Sequence, residues 1–248
     1  MTEVSEKKSC SQHGEYAPMM VMVGHRKIDR GCPECLKQYQ NAEADRKARS
    51  EALLKAERVN QFHAESMIPK RFKECRFDNF YANNEGQERA LNIAKNYAES
   101  WNDVSNRGAG LILLGKAGTG KTHLACAIAN EVIDCGIPAK FTTVTNMMRE
   151  IKSTYDKDSS DSETQILRRL SSIPLLVLDE AGMDYGTDFN KTLLFEVLNS
   201  RYENVNPTII LTNLDAAAIR EYLGERVIDR MRDGGGKMVT FNWESHRK

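Results

Sequence analysis

The sequence predicts an α/β protein: a parallel sheet between helices, with a small cysteine-rich domain and a linker helix ahead of it. Three observations carry that prediction. From about Ile68 onward, short apolar runs alternate with helix-length amphipathic segments, the pattern of strands buried on both faces by crossover helices. Residues 37–66 contain neither Gly nor Pro and are rich in Ala, Glu, Lys and Arg, which are strong helix formers. Residues 1–36 hold three of the six cysteines and two of the five histidines, with little helical periodicity. The expected domains are therefore 1–36, 37–66 and 67–248.

The elements follow in order. In 37–66 the apolar residues Leu53, Ala56, Val59 and Phe62 form only a short stripe, which fits a solvated linker or a helix that docks on a partner. Asn84 to Trp101 reads as a helix, and Leu111–Leu114 as a buried strand. A helix from Lys121 to about Asp134 ends at Gly136-Ile137-Pro138, and Lys140–Val144 is the next strand. Helices are expected at about 146–155 and 162–171, the second opened by a capping box of Ser160 with Glu163. Then come the strand Leu175–Leu178, a helix at about 189–203, the strand Thr208–Thr212, two short helices and a last strand, Met238–Phe241.

Charge and hydropathy exclude some functions. Lys and Arg number 35, as do Asp and Glu, so only a local basic patch would bind nucleic acid. Met1–Cys10 lacks the apolar core of a signal peptide, and no run of eighteen apolar residues occurs. No membrane partner is expected, and the expected address is cytoplasmic, where cysteines are thiols or metal ligands.

Gly115-Lys116-Ala117-Gly118-Thr119-Gly120-Lys121-Thr122 matches G-x-x-x-x-G-K-[ST] at every fixed position. The glycines let backbone N–H groups turn inward around phosphate oxygens, and the helix starting at Lys121 adds its positive dipole end. Lys121 should reach the β- and γ-phosphates of ATP, and Thr122 should hold Mg²⁺. Leu175–Leu178 then runs into Asp179 and Glu180, fifty-seven residues beyond Thr122. Two carboxylates at the C-terminal end of a buried strand suit a metal ligand, Asp179, and a residue that prepares the attacking water, Glu180. Asn213, at the end of the next apolar strand, could contact the γ-phosphate or that water, or simply cap a turn.

At the N-terminus, Cys10-Ser11-Gln12-His13 and Cys32-Pro33-Glu34-Cys35 place two ligand pairs at two-residue gaps. Cys10, His13, Cys32 and Cys35 can supply an S₃N set for Zn²⁺, with His25 as a substitute for His13. So short a region buries little core, so the metal would supply the folding energy. The rival reading is a redox dithiol at Cys32 and Cys35.

With these elements in this order, the chain resembles the AAA+ family, and specifically the bacterial replicative helicase loaders of the DnaC and DnaI type. Leu223-Gly224-Glu225-Arg226-Val227-Ile228-Asp229-Arg230-Met231-Arg232 is very like the loader segment that bears the arginine finger, and Phe241 to Arg247 looks like the end of the enterobacterial loader. The likeness runs from about Arg71 to Arg247. It implies Arg230 as the finger, Arg226 in support and Arg247 as a second sensor arginine. Arg226 and Arg230 lie one helical turn apart; alternatively Arg230 pairs with Glu225 or Asp233. Residues 145–172 resemble the helical insertion with which loaders touch single-stranded DNA, so Tyr155 and Lys152 are the expected contacts. The cysteine cluster departs from the enterobacterial loader and looks more like the Gram-positive one.

The resemblance implies an ATPase that assembles into a ring or spiral with ATP and delivers a hexameric replicative DNA helicase, gripped through the N-terminal region, onto single-stranded DNA. Two rivals stand beside it. One is a transposition ATPase of the IstB type, and the other a non-hydrolysing module switched by ATP.

Overall fold

The computed structural model describes residues 7–155, 161–183 and 188–245. The chain divides into two units, Met1–Glu57 and Arg58–Lys248.

In the first unit, two short antiparallel hairpins precede a helix. β1 (Lys8–Cys10) pairs with β2 (Gly14–Tyr16), and β3 (Met20–Val23) with β4 (Arg26–Asp29). α1 runs from Pro33 to Glu65, with Pro33 at its first position, where a missing N–H costs nothing. Among the described residues, Cys32 is the one buried hydrophobic residue before Ile68. Met19, Met20, Met22, Val23 and Ile28 are all exposed.

The end of α1 belongs to the second unit. Val59 and Phe62 pack against its core, and His63 Nε2 lies 2.6 Å from Asp134 Oδ1. Leu53, by contrast, is exposed. Asn84 caps α2 (Glu85–Glu99) by accepting from the Gln87 amide, and α3 (Trp101–Arg107) closes on Gly108. β5 (Leu111–Gly115), α4 (Lys121–Asp134), β6 (Ala139–Thr143) and α5 (Val144–Lys152) follow, the last continued by a 3-10 turn at Ser153–Tyr155. α6 (Glu163–Ser172) is opened by a capping box of Ser162 with Gln165. The expected box of Ser160 with Glu163 gives way to it because Glu163 is itself the first helical residue; Ser160 lies outside the described residues. β7 (Leu175–Asp179), α7 (Asp188–Glu203), β8 (Thr208–Thr212), α8 (Ala216–Leu223), α9 (Glu225–Arg232) and β9 (Lys237–Phe241) complete the unit.

The five strands form one parallel sheet in the order β6-β7-β8-β5-β9. Its two faces feed two apolar layers in strict alternation. Leu111, Leu113, Leu175, Val177, Ile209 and Leu211 join the layer under α2 and α4. Ile112, Leu114, Leu176, Leu178 and Ile210 join the layer under α5 to α9. Successive side chains of a strand point to opposite faces, so a continuous apolar run is what a doubly covered strand requires.

Arg201 ties the second layer together. It is fully buried, and donates to Thr208 Oγ1 at 2.8 Å and to the carbonyls of Leu170 and Ile173 at 2.7 Å, Pro174 at 3.4 Å and Pro207 at 2.5 Å. Burial pulls its pKa down to about 9.

Candidate nucleotide site and metal centre

The strand order places the phosphate-site residues. β8 lies between β5 and β7, so its C-terminal end stands between the phosphate loop and the paired carboxylates. Lys121 is buried, and its ammonium donates to Gly115 O at 2.5 Å, Lys116 O at 2.8 Å and Asn213 Oδ1 at 3.0 Å. Thr122 Oγ1 donates to Asp179 Oδ2 at 3.1 Å. Lys121, Thr122, Asp179 and Asn213 thus converge from three strands at one end of the sheet. Lys116 and Ala117 are exposed in the loop, and Thr119 is buried beneath it with its hydroxyl on Lys116 O at 2.8 Å. Gly120 has φ 97°, and a Cβ there would lie 2.6 Å from the Phe80 ring. A side chain is excluded on both counts.

Asp179 and Glu180 differ in setting. Burial pushes the Asp179 carboxyl up from its ordinary pKa, opposed by hydrogen bonds from the Glu180 amide and Thr122 and by the charge of Lys121. Glu180 is exposed and holds φ 60°, a left-handed conformation that costs roughly 1–3 kcal/mol in a non-glycine residue. The turn is held by β8: the Ala181 amide donates to Leu211 O at 3.0 Å, and Thr212 Oγ1 donates to Ala181 O at 2.7 Å.

Trp243 touches this site in a way that motif reading did not reveal. Its Nε1 donates to Thr119 O at 2.9 Å, and its ring packs on Phe241 at 4.8 Å between centroids. Phe80 likewise meets the loop at Gly120. No local sequence signal marks either residue, because both arrive through tertiary contact.

The two arginines of α9 are placed differently. Arg226 is exposed, its guanidinium 5.7 Å from the Phe195 ring centroid. Arg230 is half-buried and stacks over Tyr202 at 4.9 Å, with Nη1 lacking a hydrogen-bond partner. The two carboxylates weighed as its partners are engaged elsewhere. Glu225 pairs with Arg220 at 3.2 Å, and Asp233 accepts from Tyr202 Oη at 2.9 Å. Arg247 lies outside the described residues.

Tyr155 is exposed, donates its hydroxyl to Glu163, and has Phe189 at 6.5 Å between ring centroids. Lys152 Nζ stands 5.9 Å from the same Phe189 ring. Phe189 is therefore a third member of this group, brought in from α7 across a large sequence separation that hid it.

Cys10, His13, Cys32 and Cys35 bring their ligand atoms within 4.8 Å of one another. Cys10 Sγ to Cys35 Sγ is 3.4 Å, and His13 Nδ1 lies 3.7, 3.6 and 3.3 Å from the sulfurs of Cys10, Cys32 and Cys35. A tetrahedral zinc site has edges of about 3.8 Å between sulfurs and about 3.6 Å from sulfur to nitrogen, so the donor set fits Zn²⁺ in kind and in spacing. Hydrogen bonds from the Gln12 amide, then His13 and Cys35, hold the Cys10 thiol down to about 6. His13 Nε2 lies 3.1 Å from the Gln38 amide, a partner that would orient the ring. His25 sits between β3 and β4, outside this cluster.

Residues 38–248 match the family model described as IstB-like ATP binding protein. The chain is 37% identical over 202 residues to the replicative helicase loader DnaC of Buchnera aphidicola subsp. Baizongia pistaciae, covering 80% of this chain and 81% of that one. It is 39% identical over 173 residues to the DnaC loader of Escherichia coli K12, covering 70% of this chain and 69% of that one. A crystal structure of the DnaC helicase loader superposes with a TM-score of 0.62 at 27% identity, over 69% of this chain and 99% of the other. The family match begins after the four cysteine and histidine ligands, so the metal cluster rests on its own geometry. With a phosphate loop and paired carboxylates on a parallel sheet, and relatives 37% and 39% identical over most of its length, the chain belongs to the AAA+ ATP-binding proteins of the DnaC replicative helicase loader family.

Proposed function

We propose that this protein is an ATP-dependent loader that delivers a replicative DNA helicase onto single-stranded DNA. The observation that carries this reading is the convergence of Lys121, Thr122, Asp179 and Asn213 at one end of the sheet in a chain whose relatives are named replicative helicase loaders. Those names favour the loader over the transposition ATPase. Gly115 to Thr122 would cradle the triphosphate, and Mg²⁺ held by Thr122 and Asp179 would offset phosphate charge. Glu180, fixed by its strained turn, would take the proton of the attacking water, and Asn213 would position that water against the γ-phosphate. A neighbouring copy would contribute Arg226 or Arg230, so hydrolysis would depend on assembly. The N-terminal unit, with zinc at Cys10, His13, Cys32 and Cys35, would grip the helicase. Tyr155, Phe189 and Lys152 would offer stacking faces and charge to the DNA.

Co-purification with a bacterial replicative helicase tests the whole reading. Glu180→Gln with ATP should retain the helicase complex and lose hydrolysis. A Glu180→Gln protein with undiminished turnover removes Glu180 as the base, and failure of any helicase to bind removes the loader.

The two finger candidates separate in a mixing experiment. Loss of a finger costs roughly 10³–10⁵-fold in related phosphoryl transfer. Arg226→Ala and Arg230→Ala should each bind ATP, and the one that loses turnover should regain activity when mixed with Lys121→Ala. A mixture as inactive as its components, with mixed assembly confirmed, ends the trans assignment.

A further inference from the structure

The whole chain carries no net charge, yet one concavity of about 530 Å³ gathers Arg89, Arg220, Arg232 and Lys237 beside Ile93 and Met238. The four cations come from α2, α8, α9 and β9, so the cluster exists only in the folded unit. Arg220 pairs with Glu225 at 3.2 Å. Among the described residues, Arg89, Arg232 and Lys237 make no ion pair within 4.0 Å. Concentrated like charge opposes folding by self-repulsion and is relieved by an anionic ligand.

The backbone that carries two of these cations is tightly packed. Arg232 and Lys237 flank the loop 233–236, where a Cβ on Gly236 would lie 1.8 Å from Met231 O. The Lys237 amide donates to Gly110 O at 3.0 Å. This close packing fixes the two backbone positions from which Arg232 and Lys237 project.

The pocket is remote from the chain's own phosphate loop. Lys237 pairs with Leu111 at the start of β5, whereas Gly115, where the loop begins, pairs with Phe241. Four residues of strand separate the two positions by about 13 Å. The cations are spread over four elements, and Ile93 and Met238 add apolar wall. That combination suits a run of phosphates carrying sugars and bases better than one small anion.

We propose that Arg89, Arg220, Arg232 and Lys237 bind the phosphate backbone of a single nucleic acid strand, a contact separate from the Tyr155 and Phe189 faces. The inference rests on the DNA reading above and gives it a second, electrostatic anchor.

The test titrates full-length protein with Mg²⁺ and ATP against a fluorescent oligothymidylate at a series of salt concentrations. Replacing Arg89, Arg232 and Lys237 together with Gln should weaken binding roughly tenfold or more at low salt. It should also make the slope of log affinity against log salt shallower by about 2, since each phosphate contact on a single strand contributes about 0.7. Arg89→Lys with Arg232→Lys keeps the charge and should keep the slope, which guards against a triple variant that fails to fold. If wild-type protein binds no oligonucleotide, the DNA reading itself fails and this inference with it. If wild-type binds and the triple variant keeps its affinity and slope, the pocket proposal alone is overturned. If DNA binding survives while ATP-dependent self-assembly is lost, the anion is a neighbour's nucleotide and the proposal is again wrong.

Discussion

The two units reach order by different physics. The second unit buries two apolar layers against a five-stranded sheet, and most strand residues are buried. The N-terminal unit leaves most residues of its hairpins exposed and, among its described residues, buries Cys32 almost alone. There the ligand atoms of Cys10, His13, Cys32 and Cys35 lie within 4.8 Å of one another. A segment this small cannot offset its chain entropy by burial, so a cross-link or a metal must supply the difference.

The largest expected effect therefore falls on the first unit. Structural zinc contributes an apparent binding energy of about 10–16 kcal/mol in small zinc domains at neutral pH. Cys32→Ser, or a strong chelator, should remove the metal and expose residues 7–32 to limited proteolysis. The melting transition of the second unit and its ATP affinity should stay unchanged. Fresh, reduced protein containing no zinc would instead favour a thiol pair, and a shared loss of ATP binding would show that the units are energetically coupled.

The same contrast explains what the sequence revealed. In the second unit, apolar runs flagged β5, β7 and β8, shorter β-branched and aromatic stretches flagged β6 and β9, and most boundaries fell within two residues of their observed positions. Motif spacing also named the residues that meet around Lys121, because loop and strand-end geometry is local. The four strands of the first unit escaped notice. Lys8–Cys10 and Gly14–Tyr16 are three residues long and mostly exposed, so no buried alternation exists to read. Trp243 on Thr119 and Phe189 beside Tyr155 were equally invisible, being contacts across 124 and 34 residues. Arg201 shows the same limit: nothing near it in sequence announces a buried cation with five oxygen acceptors.

Arg201 gives the second-largest effect and tests whether the second unit depends on burial alone. Arg201→Met keeps much of the side-chain volume but leaves Thr208 and four carbonyls without their donor. Breaking such a buried charged network costs about 3–5 kcal/mol, and a unit of this size loses about 2–4 °C per kcal/mol. The melting temperature should fall by roughly 10 °C with ATP affinity little changed below the transition. A fall of only a degree or two would mean that water reaches those carbonyls, and that the apolar layers carry the unit without the clamp.

Asp179 should give the smallest effect, and one of opposite sign. Its carboxyl, like the Arg201 guanidinium, is desolvated more than its partners compensate, and its folded pKa stands above the unfolded value. Below the unfolded pKa both states hold the proton and burial carries no charge penalty. As pH rises through the window between the unfolded and folded values, the folded state must ionise a desolvated group, and stability is lost. Above the folded value the penalty is complete, offset in part by Thr122, the Glu180 amide and Lys121. Asp179→Asn removes the charge while keeping the shape, so without nucleotide and metal the variant should melt slightly above wild type at neutral pH. The gap should close as pH falls through that window. With Mg²⁺ and ATP the order should reverse, because wild type gains ligand stabilisation that the variant lacks. An Asp179→Asn protein that melts below wild type without ligand, at neutral pH, would show that the hydrogen bond to Thr122 outweighs desolvation, and that this carboxylate supports the fold rather than straining it.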